Sequence, residues 1–240
     1  DIDMFRTKLL LSLAVCVGIV NAGDPSGGWL SYAKFTANAS DIITKLSADM
    51  VVPGHPRLPM GSPAFWFGIQ TANGDGALVQ PIMAKWLGLS FKMFQEIFDW
   101  TDEHDEQSSH KEVQPGDVIS ASVSYRSADN SYDMNMTCHR TGETSNYNYK
   151  LESAQNATES VGYFVLEHQP MSCSELPAGG VVHWTNVQVE VNGVAVASPE
   201  WVAQEEEPKC GSKAVVVNST AIDITWSNKG GNFTEPVIVG

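Results

Sequence analysis

A chain of 240 residues with 28 acidic against 14 basic side chains carries a formal charge of −14 and is long enough for one ordinary hydrophobic core. It offers no basic stripe to neutralise phosphates, which excludes nucleic acid as a partner. The acidity fits either the solubility of an exported protein or work at acidic pH, where carboxylates protonate and self-repulsion falls.

In chain order, Asp1-Ile-Asp3 reads as a remnant of an upstream reading frame, and Met4-Phe-Arg-Thr-Lys8 as the charged start of a signal peptide. Leu9 to Val20 is its apolar core, too short to span a bilayer, and Val20-Asn-Ala22 is a small-residue cleavage pattern. Residues 1–22 are therefore expected to be a removable signal, and 23–240 a single domain. Asn-x-Ser/Thr sequons at Asn38, Asn135, Asn156, Asn218 and Asn232 point to the same exported, glycosylated state. With Cys16 lost in the signal, Cys138, Cys173 and Cys210 remain. An odd number allows one disulfide plus one free or intermolecular thiol, and Cys173 with Cys210 is the pairing we favour.

The strong periodicities after residue 23 are those of strands. Val118 to Tyr125 alternates apolar and polar with period two; Asp133 to His139 and Asn146 to Lys150 continue an antiparallel meander through turns at Ser127–Ser131 and Arg140–Glu143. Further strands are expected over Val181–Val191, closed by Asn192-Gly193, and over Lys213–Val217 and Ala221–Trp226. Ile82 to Leu87 is the one helix candidate, and the polar run Thr101–His110 reads as an exposed loop. The pattern predicts an all-β chain, a two-sheet antiparallel β-sandwich or jelly roll.

Two apolar runs end on polar residues, Ala77-Leu-Val-Gln80 and Tyr163-Phe-Val-Leu-Glu167, an amide and a carboxylate that could face each other across a β-sheet cleft. Period-two geometry puts Tyr163, Val165 and Glu167 on one strand face, and Leu78, Gln80 and Ile82 on another if that segment stays extended. A glutamate in a cleft can take a proton from attacking water and return it to the leaving amine. A glutamine amide can hold the oxyanion that appears only in the transition state.

These segments, with Leu46–Pro53, Phe65-Trp-Phe-Gly-Ile69, Phe94-Gln-Glu-Ile-Phe98, Gln114-Pro-Gly-Asp-Val-Ile119 and Arg140-Thr-Gly-Glu143, resemble the eqolisins, the glutamic peptidases of family G1. The resemblance spans about residues 45–227. It implies a concanavalin A-like β-sandwich with Gln80 and Glu167 as a catalytic dyad on a concave face, and an acid endopeptidase that needs no metal or organic cofactor. Trp66, Lys92, Phe94, Glu96, Phe98, Tyr163 and Val165 would then line the substrate groove, and the partner would be an unfolded protein or peptide. Phe94 and Ile97 stand where the family has tryptophans, Lys92 where it has an aspartate, and Gly74 and Thr158 where some members have a cysteine pair.

A second reading makes the same groove a binding site for an apolar small molecule, a sugar or a peptide, lined by the plentiful aromatic and Met residues. A third makes the chain a secreted matrix protein. The acidic and histidine residues between Asp102 and His110 lack the regular spacing and glycine of a calcium loop, so no metal site is expected. No Gly-x-Ser-x-Gly elbow occurs to support a serine hydrolase.

Overall fold

The computed structural model describes residues 28–58, 61–74, 76–85, 90–99, 104–151, 156–167, 172–206 and 209–228. The strands in chain order are β1 (Trp29–Thr36), β2 (Ile43–Val51), β3 (Ala64–Thr71), β4 (Ala77–Lys85), β5 (Phe91–Asp99), β6 (His104–Gln107), β7 (Lys111–Val113) and β8 (Val118–Arg126). They continue with β9 (Ser131–Cys138), β10 (Thr144–Lys150), β11 (Glu159–Glu167), β12 (Val181–Val191), β13 (Val194–Ala195), β14 (Val202–Glu205), β15 (Lys213–Asn218) and β16 (Ala221–Thr225). The first sheet has the order β14-β1-β11-β3-β4-β5-β6, with β7 also on β5; the second has the order β10-β9-β8-β2-β12-β16-β15, with β13 on β12. The predicted all-β, two-sheet antiparallel sandwich is what the chain forms.

The second sheet shows why alternation suffices to place its strands. In β8, Ile119, Ala121 and Val123 are buried while Ser120, Ser122 and Ser124 lie on the other face. β12 buries Val182 and Trp184, then Val187 and Val189, so its phase slips by one residue. A bulge between Thr185 and Gln188 absorbs the slip, with Asn186 in the left-handed region at φ 54°. The Asn192-Gly193 turn has φ of 51° and 78°, the mirror-image turn that the dipeptide predicts.

Between the sheets, Phe65, Phe67, Phe164 and Leu166 of the first meet Leu46, Ile119, Met134, Trp184 and Ile222 of the second. Burying each such side chain contributes about 1.5–3 kcal/mol. Cys173, in a short 3-10 turn, and Cys210, in the left-handed region at φ 61°, form a disulfide with Cα atoms 5.5 Å apart. Cys138 is free and buried in the core, which corrects the intermolecular-thiol option: no partner chain could reach its sulfur.

Two expectations fail on the first sheet. The helix candidate is strand as far as Lys85, with residues 86 and 87 outside the described residues. Ile82 to Ala84 pair with β3 on one side and β5 on the other, and two open ladders outweigh a weak local helix preference. Lys85, wholly buried, closes the strand by donating Nζ to Gly61 O at 2.8 Å. Within the polar run read as a loop, His104–Gln107 is a strand, because β5 would otherwise carry an unpaired edge. Residues 1–22 and Asn232 lie outside the described residues. Among the described residues no helix is long and apolar enough to cross a membrane.

Candidate active site on the outer face of the first sheet

Strands β4 and β11 ignore alternation. Every residue of β4 is buried, as is every residue of β11 before Glu167, so both faces of the first sheet are covered at its centre. The outer face carries a second apolar cluster, separate from the core: Trp29, Tyr32, Trp66, Leu78, Ile82, Ala84, Phe94, Val161, Tyr163 and Val165. The Trp29 ring meets those of Trp66, Tyr163 and Tyr32 edge to face at 4.8, 5.2 and 5.5 Å. These rings are packed on one another rather than arrayed around an opening.

Gln80 and Glu167 both sit on this face, as period two requires of extended strands. Three cross-strand rows order it. Glu167 pairs with Ala64 and Ala64 with Ala84, which pairs with Lys92. In the next row Val165 pairs with Trp66 and Trp66 with Ile82, which pairs with Phe94. The third runs from Tyr163 to Gly68, across to Gln80, then to Glu96 and Gln107. Gln80 and Glu167 are thus two rows apart, about 13 Å along the strands at about 3.3 Å per residue.

The two side chains do not bond each other. Trp66 Nε1, from the row between, donates to Glu167 Oε2 at 3.0 Å. Gln80 Nε2 donates to Glu96 Oε2 at 2.7 Å, and the other oxygen of Glu96 accepts from Gln107 Nε2 at 2.5 Å. Gln80 Oε1 is buried without a hydrogen-bond partner.

Gly68 makes Gln80's position possible. A Cβ on it would lie 2.7 Å from Val79 O and 3.0 Å from Gln80 Cβ, so only glycine lets β4 press this close to β3. The β3–β4 pairing breaks there too: partners run to Trp66–Ile82 and resume at Ile69–Val79, skipping Pro81, which has no N–H to give.

This setting raises both carboxyls. Burial pushes Glu96 up to about 8, reinforced by the charges of Asp105 and Glu167 and opposed by the Gln107 hydrogen bond. Burial likewise pushes Glu167 up, opposed by the Trp66 hydrogen bond. His110 stacks on Phe94 at 4.2 Å and shares a 3.0 Å hydrogen bond between Nε2 and Gln107 Oε1. Burial and the nearby Lys92 hold its pKa below the usual value. Lys92 itself is ion-paired with Glu112.

A sequence model of the peptidase A4 family matches residues 31–226. The chain belongs to the peptidase A4 family. It has the fold of the eqolisins: scytalido-glutamic peptidase with a peptide-based transition-state analogue superposes with TM-score 0.62 at 18% identity, covering 83% of this chain and 98% of that one. SCP-B, an eqolisin in complex with the tripeptide Ala-Ile-His, matches with TM-score 0.57 at 16% identity over the same shares. Aspergilloglutamic peptidase from Aspergillus niger matches with TM-score 0.51 at 16% identity, covering 69% of this chain and 98% of that one. No curated protein matches the chain by sequence.

Of the residues read as groove lining, Trp66, Phe94, Tyr163 and Val165 are almost fully buried in the outer cluster, while Lys92, Glu96 and Phe98 are partly exposed beside it. Gln80, Glu96 and Trp66 are drawn into the polar contacts. Gln80 and Glu167 each bond a neighbour on this face, Glu96 and Trp66 respectively. Gln107 and His110 were missed as members of this site. The signal that could have found Gln107 is the two-residue spacing of Asp105 and Gln107, which puts both beside the outward residues of β5.

Proposed function

We propose that the chain is a secreted, glycosylated endopeptidase in which Glu167 and Gln80 hydrolyse peptide bonds of unfolded proteins or peptides. The observation that carries the reading is Glu167 held by Trp66 Nε1 on a buried apolar face that also presents Gln80. Deprotonated Glu167 takes a proton from a water as the oxygen attacks the scissile carbonyl. The Gln80 amide donates to the oxyanion of the tetrahedral intermediate. Protonated Glu167 then gives its proton to the leaving amine, and the peptide bond breaks.

Because burial raises Glu167 above the ordinary carboxyl range, its deprotonation, and with it the acid limb of activity, is shifted upward in pH. Exposure of Asn38, Asn135, Asn156 and Asn218 supports glycosylation and hence export.

The test is cleavage of an unfolded protein between about pH 2 and 8, comparing the parent with Glu167→Gln and Gln80→Ala. Glu167→Gln is expected to lower kcat by about 10²–10⁴-fold. Gln80→Ala is expected to lower it by about 10²–10³-fold. A parent that cleaves nothing at any pH, while melting like its variants, would sink the peptidase reading.

A further inference from the structure

The outer face holds a run of polar side chains, His110, Gln107, Glu96 and Gln80, linked by hydrogen bonds. Glu96 is flanked on both sides in its row: Gln107 Nε2 donates to Oε1, and the Gln80 amide stands 2.7 Å from Oε2. Glu96 also faces Asp105 on β6 and feels Glu167 on β11, while Lys92 on its own strand is paired with Glu112 on β7. A second negative charge in that company, beside an apolar cluster, is expensive, so this is where a carboxyl keeps its proton. With Oε1 already accepting, the proton belongs on Oε2, and an O–H there needs an acceptor. Gln80 Oε1 is a buried acceptor with no partner, on the amide that Oε2 already touches. Which end of a glutamine amide is oxygen is decided by its hydrogen bonds. A neutral Glu96 therefore meets Gln80 Oε1, and the amide turns end for end.

We propose that Glu96 is a positioning residue, neutral in the working enzyme, whose Oε2–H donates to Gln80 Oε1 and so frees both Nε2–H groups of Gln80 for the substrate oxyanion. The chain is then unidirectional. His110 Nε2–H donates to Gln107 Oε1, Gln107 Nε2–H to Glu96 Oε1, and Glu96 Oε2–H to Gln80 Oε1. His110 is steadied by its stack on Phe94. The Gln80 N–H groups come to lie where the unpartnered oxygen is placed, the buried position to which a substrate carbonyl has to be brought. The use made of those N–H groups rests on the peptidase reading; the hydrogen-bond chain does not.

The test uses Glu96→Gln, Glu96→Ala and Gln107→Ala in the full chain. A glutamine at 96 reproduces the neutral acid: its carbonyl accepts from Gln107 and its amide donates to Gln80. Glu96→Gln is expected to retain far more of kcat than Glu96→Ala and to lose the alkaline limb of the pH profile, which in the parent lies near 8. Glu96→Ala is expected to lower kcat by about 10²-fold with KM little changed, the size of effect a misplaced catalytic group produces. Gln107→Ala, at an exposed edge position, lowers kcat in the same sense and stands in if Glu96→Ala fails to fold. The proposal is overturned if Glu96→Gln is as impaired as Glu96→Ala, or if the alkaline limb survives in it. Should the parent be inactive, infrared difference spectra decide: a protonated-carboxyl band at neutral pH that Glu96→Gln removes supports the proposal, and its absence in the parent overturns it.

Discussion

The two sheets have similar strand counts and the same antiparallel pairing but opposite outer faces. On the second sheet the outward positions of β2 and β8 are Lys45, Ser47, Asp49, Ser120, Ser122 and Ser124, open to solvent and bonded to one another: Ser120 donates to Asp49, and Asn186 Nδ2 reaches the same carboxylate at 2.7 Å. On the first sheet the outward positions of β3, β4 and β11 are Trp66, Leu78, Ile82, Tyr163 and Val165, all buried. Asp49 lies among solvated neighbours, whereas Glu96 and Glu167 lie against apolar ones and are pushed up. The fold is symmetric in architecture and asymmetric in dielectric. Glu96 and Glu167 are pushed up on the side where the strands ignore alternation.

The comparison can be broken most severely at Gly68. Gly68→Ala puts a Cβ against Val79 O and Gln80 and is expected to destabilise the fold by about 1–3 kcal/mol. It should also cut activity through displacement of Gln80. Thermal melting and kcat measured together check this, and a variant that melts and turns over like the parent would contradict it.

The dielectric difference sets the pH dependence of stability. Glu96, raised from 4.5 to about 8, Glu167 and Glu159, the last buried against the Tyr132 hydroxyl, bind more protons folded than unfolded. Their contribution is therefore complete below about pH 4.5 and is lost as pH rises, for Glu96 through about 8. Asp117 works in the opposite sense: held down to about 2 by the Arg140 guanidinium, it contributes above its ordinary 3.8 and is lost as pH falls from there through about 2. Melting temperature should accordingly peak near pH 4–4.5, fall toward neutrality, and fall less steeply above pH 5 in Glu96→Gln. A melting temperature that is flat or rising from pH 5 to 8 would contradict the assignment.

The smallest effect is expected on the second sheet. Ser122→Ala, on its solvated outer face between Ser47 and Asn135, should change stability by no more than about 0.5 kcal/mol and leave turnover untouched. A large loss of activity there would place functional chemistry on both faces and dissolve the contrast.

How legible the molecule was follows the same divide. In β8, β9 and β12, one face meets the core and the other meets water, so period-two hydrophobicity named the strands directly. In β4, burial on both faces erases alternation, and Ile82–Lys85 reads locally as well for a helix. Gln80 and Glu167 stood out because each ends an apolar run on a polar group. Gln107 did not, since it lies in a polar stretch and gains its meaning only when β6 pairs with β5 and carries it to Glu96.

The sequence by itself determined the sandwich class, the Asn192-Gly193 turn and the two polar residues that end the apolar runs. Each of these depends on patterns spanning a few residues or on chemistry that residue identity fixes. Tertiary structure decided that Trp66 holds Glu167, that Glu96 stands between Gln80 and Gln107, and that these carboxyls sit high. Those facts depend on cross-strand registers between segments up to about a hundred residues apart and on what covers the sheet, and no local pattern carries either.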